Sequence, residues 1–188
     1  INPATEEVLA EYPEMAEAEV ERALAQAQSA FERWRGTSFG ERATRLKAAA
    51  QWLREHRDEL ARLATLEMGK PIVQAEAEVE KCAFGAEWYA ENAERLLADE
   101  HVATNARASY VAYQPLGVIL AIMPWNFPYW QVMRPIAPAV MAGNAVLLKH
   151  ASNVPQCALA LERMAREAGF PEGLLTTLLV SGRRTDPI

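Results

Sequence analysis

Along the first hundred residues apolar positions recur at helical spacing. Val20, Ala23, Leu24, Ala27, Phe31 and Trp34 share one face with charges opposite, which predicts an amphipathic helix. Ser38 and Glu41 have the spacing of a capping box, in which each side chain satisfies the other's backbone N–H. The box opens a second helix with the stripe Leu46, Ala49, Leu53, Leu60 and Leu63, closed by Gly69. Pro71 suits the first turn of a third helix carrying Ile72, Ala75, Val79, Ala86, Ala90 and Leu97. Three amphipathic helices need a common surface to cover.

The pattern changes near His101. Residues 109–113 (SYVAY) are β-prone, and Pro115 with Gly117 marks a break after them. Residues 117–123 (GVILAIM) are a continuous apolar run, which predicts a strand buried on both faces of a parallel sheet. A helix is expected over residues 128–142, with Pro135 and Pro138 imposing a kink or a late start. Residues 145–149 (AVLLK) predict a second buried strand, 155–168 a helix ended by Gly169, and 174–180 a third strand. Strand, helix, strand, helix, strand is the βαβ pattern with right-handed crossovers. The expected fold class is therefore α/β: N-terminal helices followed by half of a parallel nucleotide-binding sheet. Its parts are residues 1–100 (helical), 101–116 (a β segment) and 117–188 (the first βαβαβ part). Residues 181–188 (SGRRTDPI) bring charge but no covering element, so the third strand is expected to keep an open edge, as in a truncated sheet.

Composition narrows the function. Hydrophobic residues make up 51 % of the 188, enough for a packed core. Lys plus Arg number 19 against 25 Asp plus Glu, and the net charge of −6 disfavours nucleic acid and anionic membranes as partners. Residues 108–133 carry no charge, a length that raises the question of a membrane span. Pro115, Gly117, Pro124, Asn126 and Pro128 break it into pieces too short to cross a bilayer. No signal peptide opens the chain, and a start at Ile1 instead of Met reads as a trimmed N-terminus. Cys82 and Cys157 are too few and too far apart for a disulfide framework or a zinc site. No metal is expected, and a reducing compartment, the cytoplasm, is.

Candidate chemistry sits where strands end. In open α/β sheets ligands bind beyond the carboxyl ends of strands, and Pro124–Pro128 (PWNFP) follows the first buried run directly. Asn126 there is either a turn or capping residue before the next helix, or an amide donor for a developing oxyanion. Lys149, His150, Ala151 and Ser152 follow the second strand; an ammonium and a hydroxyl at a strand end are able to bind ribose hydroxyls or a phosphate. A G-x-G-x-x-G fingerprint is absent.

Taken together, PWNFP, MAGNAVLLKHASNVP and AREAGFPEG resemble the cofactor half of the aldehyde dehydrogenase superfamily. NPATEEVLAEYP, LEMGKP and YQPLGVILAIMPWNFP resemble it in the same order, so the likeness covers essentially the whole chain. Within it, EMGKPIVQAEAEVEK and WNFPYWQVMRP resemble succinate-semialdehyde dehydrogenases. The resemblance implies a cysteine thiohemiacetal whose oxyanion is held by Asn126, hydride transfer to NAD or NADP, and hydrolysis of a thioester. It further implies Lys149 at the adenosine ribose and Ile122, Met123, Pro124, Trp125 and Asn126 along the cofactor, with His150 and Ala151 beside them. Ser152 stands where a glutamate often rejects a 2′-phosphate, which opens the site to NADP. Phe127 and Arg134 are implied to face a small aldehyde substrate, Arg134 by pairing with its carboxylate. The family's nucleophile, its general-base glutamate and its pyrophosphate glycines have no match here. Cys82 lies mid-helix beside Val79 and Ala86, as core. Cys157 lies near a helix start, where the dipole is able to lower a thiol pKa. Neither has the glycine- and glutamine-rich setting of the family's nucleophile. Homo-oligomers, dimers or tetramers, are implied, with residues 109–113 in the assembly region. Two alternatives stand: a non-catalytic nucleotide-binding module, or a relative that uses acyl-CoA or acyl-phosphate substrates.

Overall fold

The computed structural model describes residues 1–185. Helices α1 (Glu17–Trp34), α2 (Phe39–Glu55), α3 (Arg57–Met68) and α4 (Ile72–Leu96) come first. A short antiparallel pair follows, β1 (Glu100–His101) with β2 (Tyr110–Val111). Then come β3 (Val118–Met123), α5 (Trp130–Met141), β4 (Ala145–His150), α6 (Pro155–Glu167) and β5 (Leu175–Thr177). The last three strands form a parallel sheet in the order β3-β4-β5. The α/β class expected from the pattern is the one observed.

Side chains of β4 alternate between two apolar layers, as the period of a strand requires. Leu147 faces Ala23 and Ala27 of α1, together with Leu178 and Val180. Val146 and Leu148 face the larger cluster, which holds α5, α6 and the inner sides of α2, α3 and α4. The helical hundred residues therefore divide: α1 covers one face of the sheet, and α2–α4 back the helices on the other. Asn144 stitches the turn before β4, accepting from the Leu116 and Gly117 N–H groups (2.7 and 3.0 Å) and donating to the Ala139 carbonyl (3.0 Å). Beside it Gly143 has φ +99°, and the Arg42 guanidinium lies 3.1 Å from where a Cβ would stand, so no larger residue fits without strain. That guanidinium closes the end of α5 by donating to the Met141 carbonyl at 2.9 Å.

Several expectations are corrected. The helix predicted from Ser38 to Gly69 does open with the Ser38–Glu41 capping box, but it bends at His56 into α2 and α3. The His56 ring Nδ1–H and its backbone N–H both converge on the Trp52 carbonyl (2.9 and 3.0 Å), and ψ there swings to 13°. Leu46, Leu53 and Leu60 stay buried across the bend. Leu24 and Ile72 prove exposed and belong to no buried stripe. Strand β3 is not buried on both faces: only Ala121 is buried and Ile122 is 57 % exposed. Among the described residues β3 pairs with β4 alone, and only β4, flanked by β3 and β5, is buried along its whole length. Helix α5 starts late, at Trp130, and runs through Pro135 and Pro138 as one helix. The SYVAY strand shrinks to Tyr110–Val111 and the third strand to Leu175–Thr177, although Leu178 N–H still reaches the Leu148 carbonyl at 2.8 Å. Of the SGRRTDPI segment, Arg184 clasps the N-terminal strap by donating to the Met15 carbonyl (2.6 Å). Residues 186–188 of that segment lie outside the described residues.

Candidate functional site

The register of the sheet assembles the site. Ile122 pairs with Lys149 and Met123 with His150, so β3 and β4 end side by side and release their loops together. Pro124–Phe127 leaves β3 with its side chains open to solvent: Trp125 is 50 % and Phe127 44 % exposed, and Asn126 is exposed too. The Asn126 amide makes no hydrogen bond with the described residues, so it does not cap α5; only its carbonyl is engaged.

What caps α5 instead is a glutamate from another helix. Glu78 of α4, buried, accepts the Tyr129 and Trp130 N–H groups at 2.8 and 2.9 Å on one carboxylate oxygen, and its other oxygen pairs with the Lys70 ammonium. These are N–H groups that a helix start leaves without an intrahelical partner. The Tyr129 hydroxyl, wholly buried, donates to the Leu60 carbonyl at 2.7 Å and ties the start of α5 to α3. Helix α6 has the same device: Glu67 of α3 accepts from the Gln156 and Cys157 N–H groups, 2.9 Å each.

The loop after β4 opens onto a cavity of about 650 Å³. Ala151, Ser152 and Asn153 form one wall and Leu178–Ser181 another, and the N-terminal strap at Val8–Tyr12 closes it. Ser152 is exposed. Lys149, at 8 % exposure, makes no ion pair with the described residues. His150, a candidate for contact with a cofactor, lines the cavity and also anchors the loop after β3. It is buried, its Nε2–H donates to the Pro128 carbonyl (2.8 Å), and its Nδ1 accepts from Ala151 N–H (2.8 Å). Burial holds its pKa below the ordinary histidine range, against the pull of the Pro128 carbonyl. Its Nε2 thus joins the two loops, while Nδ1 is taken by the next residue of its own loop.

Arg134 is exposed on α5, one turn beyond Trp130, whose ring carries the Lys81 ammonium 4.1 Å from its centroid. Two cations thus flank this face of α5. The two thiols are buried and unpaired. Burial pushes Cys82 and Cys157 well above the usual thiol range, with Glu78 adding to the first and Glu67 to the second. For Cys157 this reverses the expected helix-start lowering: the Glu67 carboxylate occupies that N-terminus and repels a thiolate. Among the described residues no cluster of potential metal ligands occurs. No helix of the described chain is long and apolar enough to cross a membrane.

Lys70, Glu78 and Glu67 were not singled out from the sequence, although a signal was there. Ala75, Glu78, Val79 and Cys82 follow one helical stripe, as do Leu60, Ala64 and Glu67. A carboxylate inside an apolar stripe must find partners across the core.

The aldehyde dehydrogenase family model matches residues 1–186, and the chain belongs to that family. A probable succinate-semialdehyde dehydrogenase [NADP(+)] of Synechocystis sp. is 55 % identical over 97 % of this chain and 40 % of its own length. Succinate-semialdehyde dehydrogenase [NADP(+)] 1 of Mycobacterium tuberculosis is 52 % identical over 100 % of this chain and 42 % of its own. Among solved structures, the succinic semialdehyde dehydrogenase of Streptococcus pyogenes in complex with NADP+ superposes with a TM-score of 0.91 at 38 % identity, covering 95 % of this chain and 40 % of that one. The chain spans about 40 % of the length of the relatives it matches.

Proposed function

We propose that this chain carries the oxyanion-stabilising and cofactor-facing part of an enzyme that oxidises succinate semialdehyde, or a similar short semialdehyde, to the carboxylate with NADP or NAD. The observation that carries the reading is the pairing of β3 with β4. It makes the loop that carries the unpartnered Asn126 amide start at the same end of the sheet as the loop that carries Ser152, after Lys149. An amide N–H held in a rigid loop, with no internal partner, is free to meet a charge that develops on a substrate oxygen. The cavity beside Ser152 suits the adenosine end of the cofactor, with the Ser152 hydroxyl as a donor and no carboxylate at Ser152 to repel a 2′-phosphate; Lys149, at the end of β4, is assigned to the ribose by the family resemblance. Ile122, Met123, Pro124, Trp125, Asn126, His150 and Ala151 are assigned to the path of the cofactor, and Phe127 and Arg134 to the aldehyde. When bound, the cofactor accepts the hydride. Asn126 donates to the oxyanion left by nucleophilic attack, and Arg134 fixes the far carboxylate of the semialdehyde by a bidentate pair. The names of the relatives support both substrate and cofactor.

We place assembly into homo-oligomers at the β1–β2 hairpin, where Tyr110, Val111 and Tyr113 are exposed. Two unpaired thiols favour a reducing compartment such as the cytoplasm. The test is steady-state kinetics on the full-length protein with succinate semialdehyde and butanal, each with NADP and NAD. Preference for the semialdehyde with NADP is expected; equal use of both aldehydes would sink the substrate assignment.

A further inference from the structure

Lys70 and Glu78 belong to none of the segments given a role in binding or chemistry. Both are buried, at 5 % and 3 % exposure, and they pair with each other. Desolvation offsets most of the attraction in such a pair, so it adds little net stability over apolar side chains of like volume. Its geometry points elsewhere. The Lys70 ammonium donates to the Asn126 carbonyl at 3.3 Å and lies 3.7 Å from the centroid of the Phe127 ring. Glu78 holds the Tyr129 and Trp130 N–H groups, and His150 holds the Pro128 carbonyl between them. Each residue from Asn126 to Trp130 is thus gripped by a buried group of another element. The Asn126 amide is left ungripped.

We propose that the Lys70–Glu78 pair is a positioning device for Asn126: it fixes the Asn126 peptide so that the side-chain amide meets the oxyanion without reorganising. The inference rests on the reading of Asn126 as an oxyanion donor. Lys70 touches neither substrate nor cofactor in this scheme and acts through one carbonyl. A misplacement on the order of 1 Å at a reacting centre costs roughly 10²-fold in rate, so a loose peptide at Asn126 would be felt in kcat.

The experiment is a coupling cycle in the full-length enzyme. Lys70→Met combined with Glu78→Gln removes the charges together, and the glutamine oxygen still accepts the Tyr129 and Trp130 N–H groups. The combined variant is made with Asn126 present and in an Asn126→Ala background, and kcat, KM and the NADP Kd are measured. With Asn126 present, kcat is expected to fall roughly 10–10²-fold while the NADP Kd stays within about two-fold. In the Asn126→Ala background the same change should move kcat by less than about three-fold, because the group being positioned is gone. Equal losses in both backgrounds, or a near-normal kcat with Asn126 present, overturn the proposal. If Asn126→Ala alone leaves kcat intact, the oxyanion reading itself fails and takes the proposal with it. Should the combined variant not fold, Lys70→Gln combined with Glu78→Gln, in which the amide at position 70 retains a donor and no charge is stranded, enters the same cycle. Its smaller loss is expected only where Asn126 is present.

Discussion

Strands β3 and β4 end in the same way, in a loop and a helix whose first N–H groups are taken by a buried glutamate of the helical layer, yet the two ends are built differently. After β4, Glu67 spends both oxygens on the start of α6 and forms no ion pair with the described residues. After β3, Glu78 spends one oxygen on α5 and gives the other to Lys70, which reaches on to the Asn126 carbonyl. The first end leaves its loop, Ala151–Asn153, to line a cavity. The second pins its loop by the backbone and leaves one amide free. A binding loop needs donors at the right depth; a donor for a transient charge needs to be held still.

The largest expected effect separates the two glutamates. Glu78→Ala strands the Lys70 ammonium without its partner in the core and should cost about 3–5 kcal/mol of stability. Glu67→Ala removes two cap bonds but strands no charge, and should cost about 1–3 kcal/mol. Urea unfolding of the full-length variants measures both, and equal losses would erase the distinction between the two ends.

Asn126→Ala should lower kcat about 10²–10³-fold, as for loss of one oxyanion-hole donor, with the NADP Kd and melting temperature nearly unchanged. A cap residue would show the reverse, losing about 1 kcal/mol of stability with normal turnover. Arg134→Ala should raise KM for succinate semialdehyde far more than for butanal, by an amount equivalent to roughly 1.5–3 kcal/mol. Similar shifts for both aldehydes would make Arg134 an ordinary surface residue of α5.

At the β4 end the effects should fall on binding and leave turnover alone. Ser152→Glu in the full-length enzyme should move the NAD/NADP preference toward NAD by about tenfold, near 1.4 kcal/mol, with kcat for the better cofactor intact. An unmoved preference places Ser152 away from the ribose. The smallest effect belongs to His150, which joins the two ends. Its folded-state pKa lies below the unfolded value of 6.5 because burial disfavours the charged ring. The unfolded chain therefore binds the proton first, and His150 lowers stability as pH falls from 6.5 toward its folded pKa. The full-length protein should lose melting temperature over that window, and His150→Gln should flatten the slope there while lowering stability at neutral pH.

Much of the architecture was legible because it depends on short-range pattern. The Ser38–Glu41 box, the Gly69 stop and the βαβαβ order are written in residues close in sequence, and each occurs in the structure. Residues 117–123 misled because apolar runs report the hydrophobicity of a strand and not its place in the sheet. β3 and β4 read alike, but among the described residues only β4 has a strand on either side. His150 was legible only as a candidate ligand after a strand; that its two nitrogens face the Pro128 carbonyl and the Ala151 N–H is decided by the fold.

The sequence by itself determined most of the secondary elements, their order, the family, and the loops that hold Asn126 and Ser152, since motif and periodicity act over a few residues; the break at His56 and the extent of the strands came from the fold. Tertiary structure alone decided which groups hold those loops. Lys70 and Asn126 are 56 positions apart, and Glu67 and Cys157 are 90. Nothing local marks such pairs except a carboxylate in an apolar stripe. Which partner satisfies it depends on how four helices pack against the strand ends, and a buried charge constrains that packing only once the chain has closed around it.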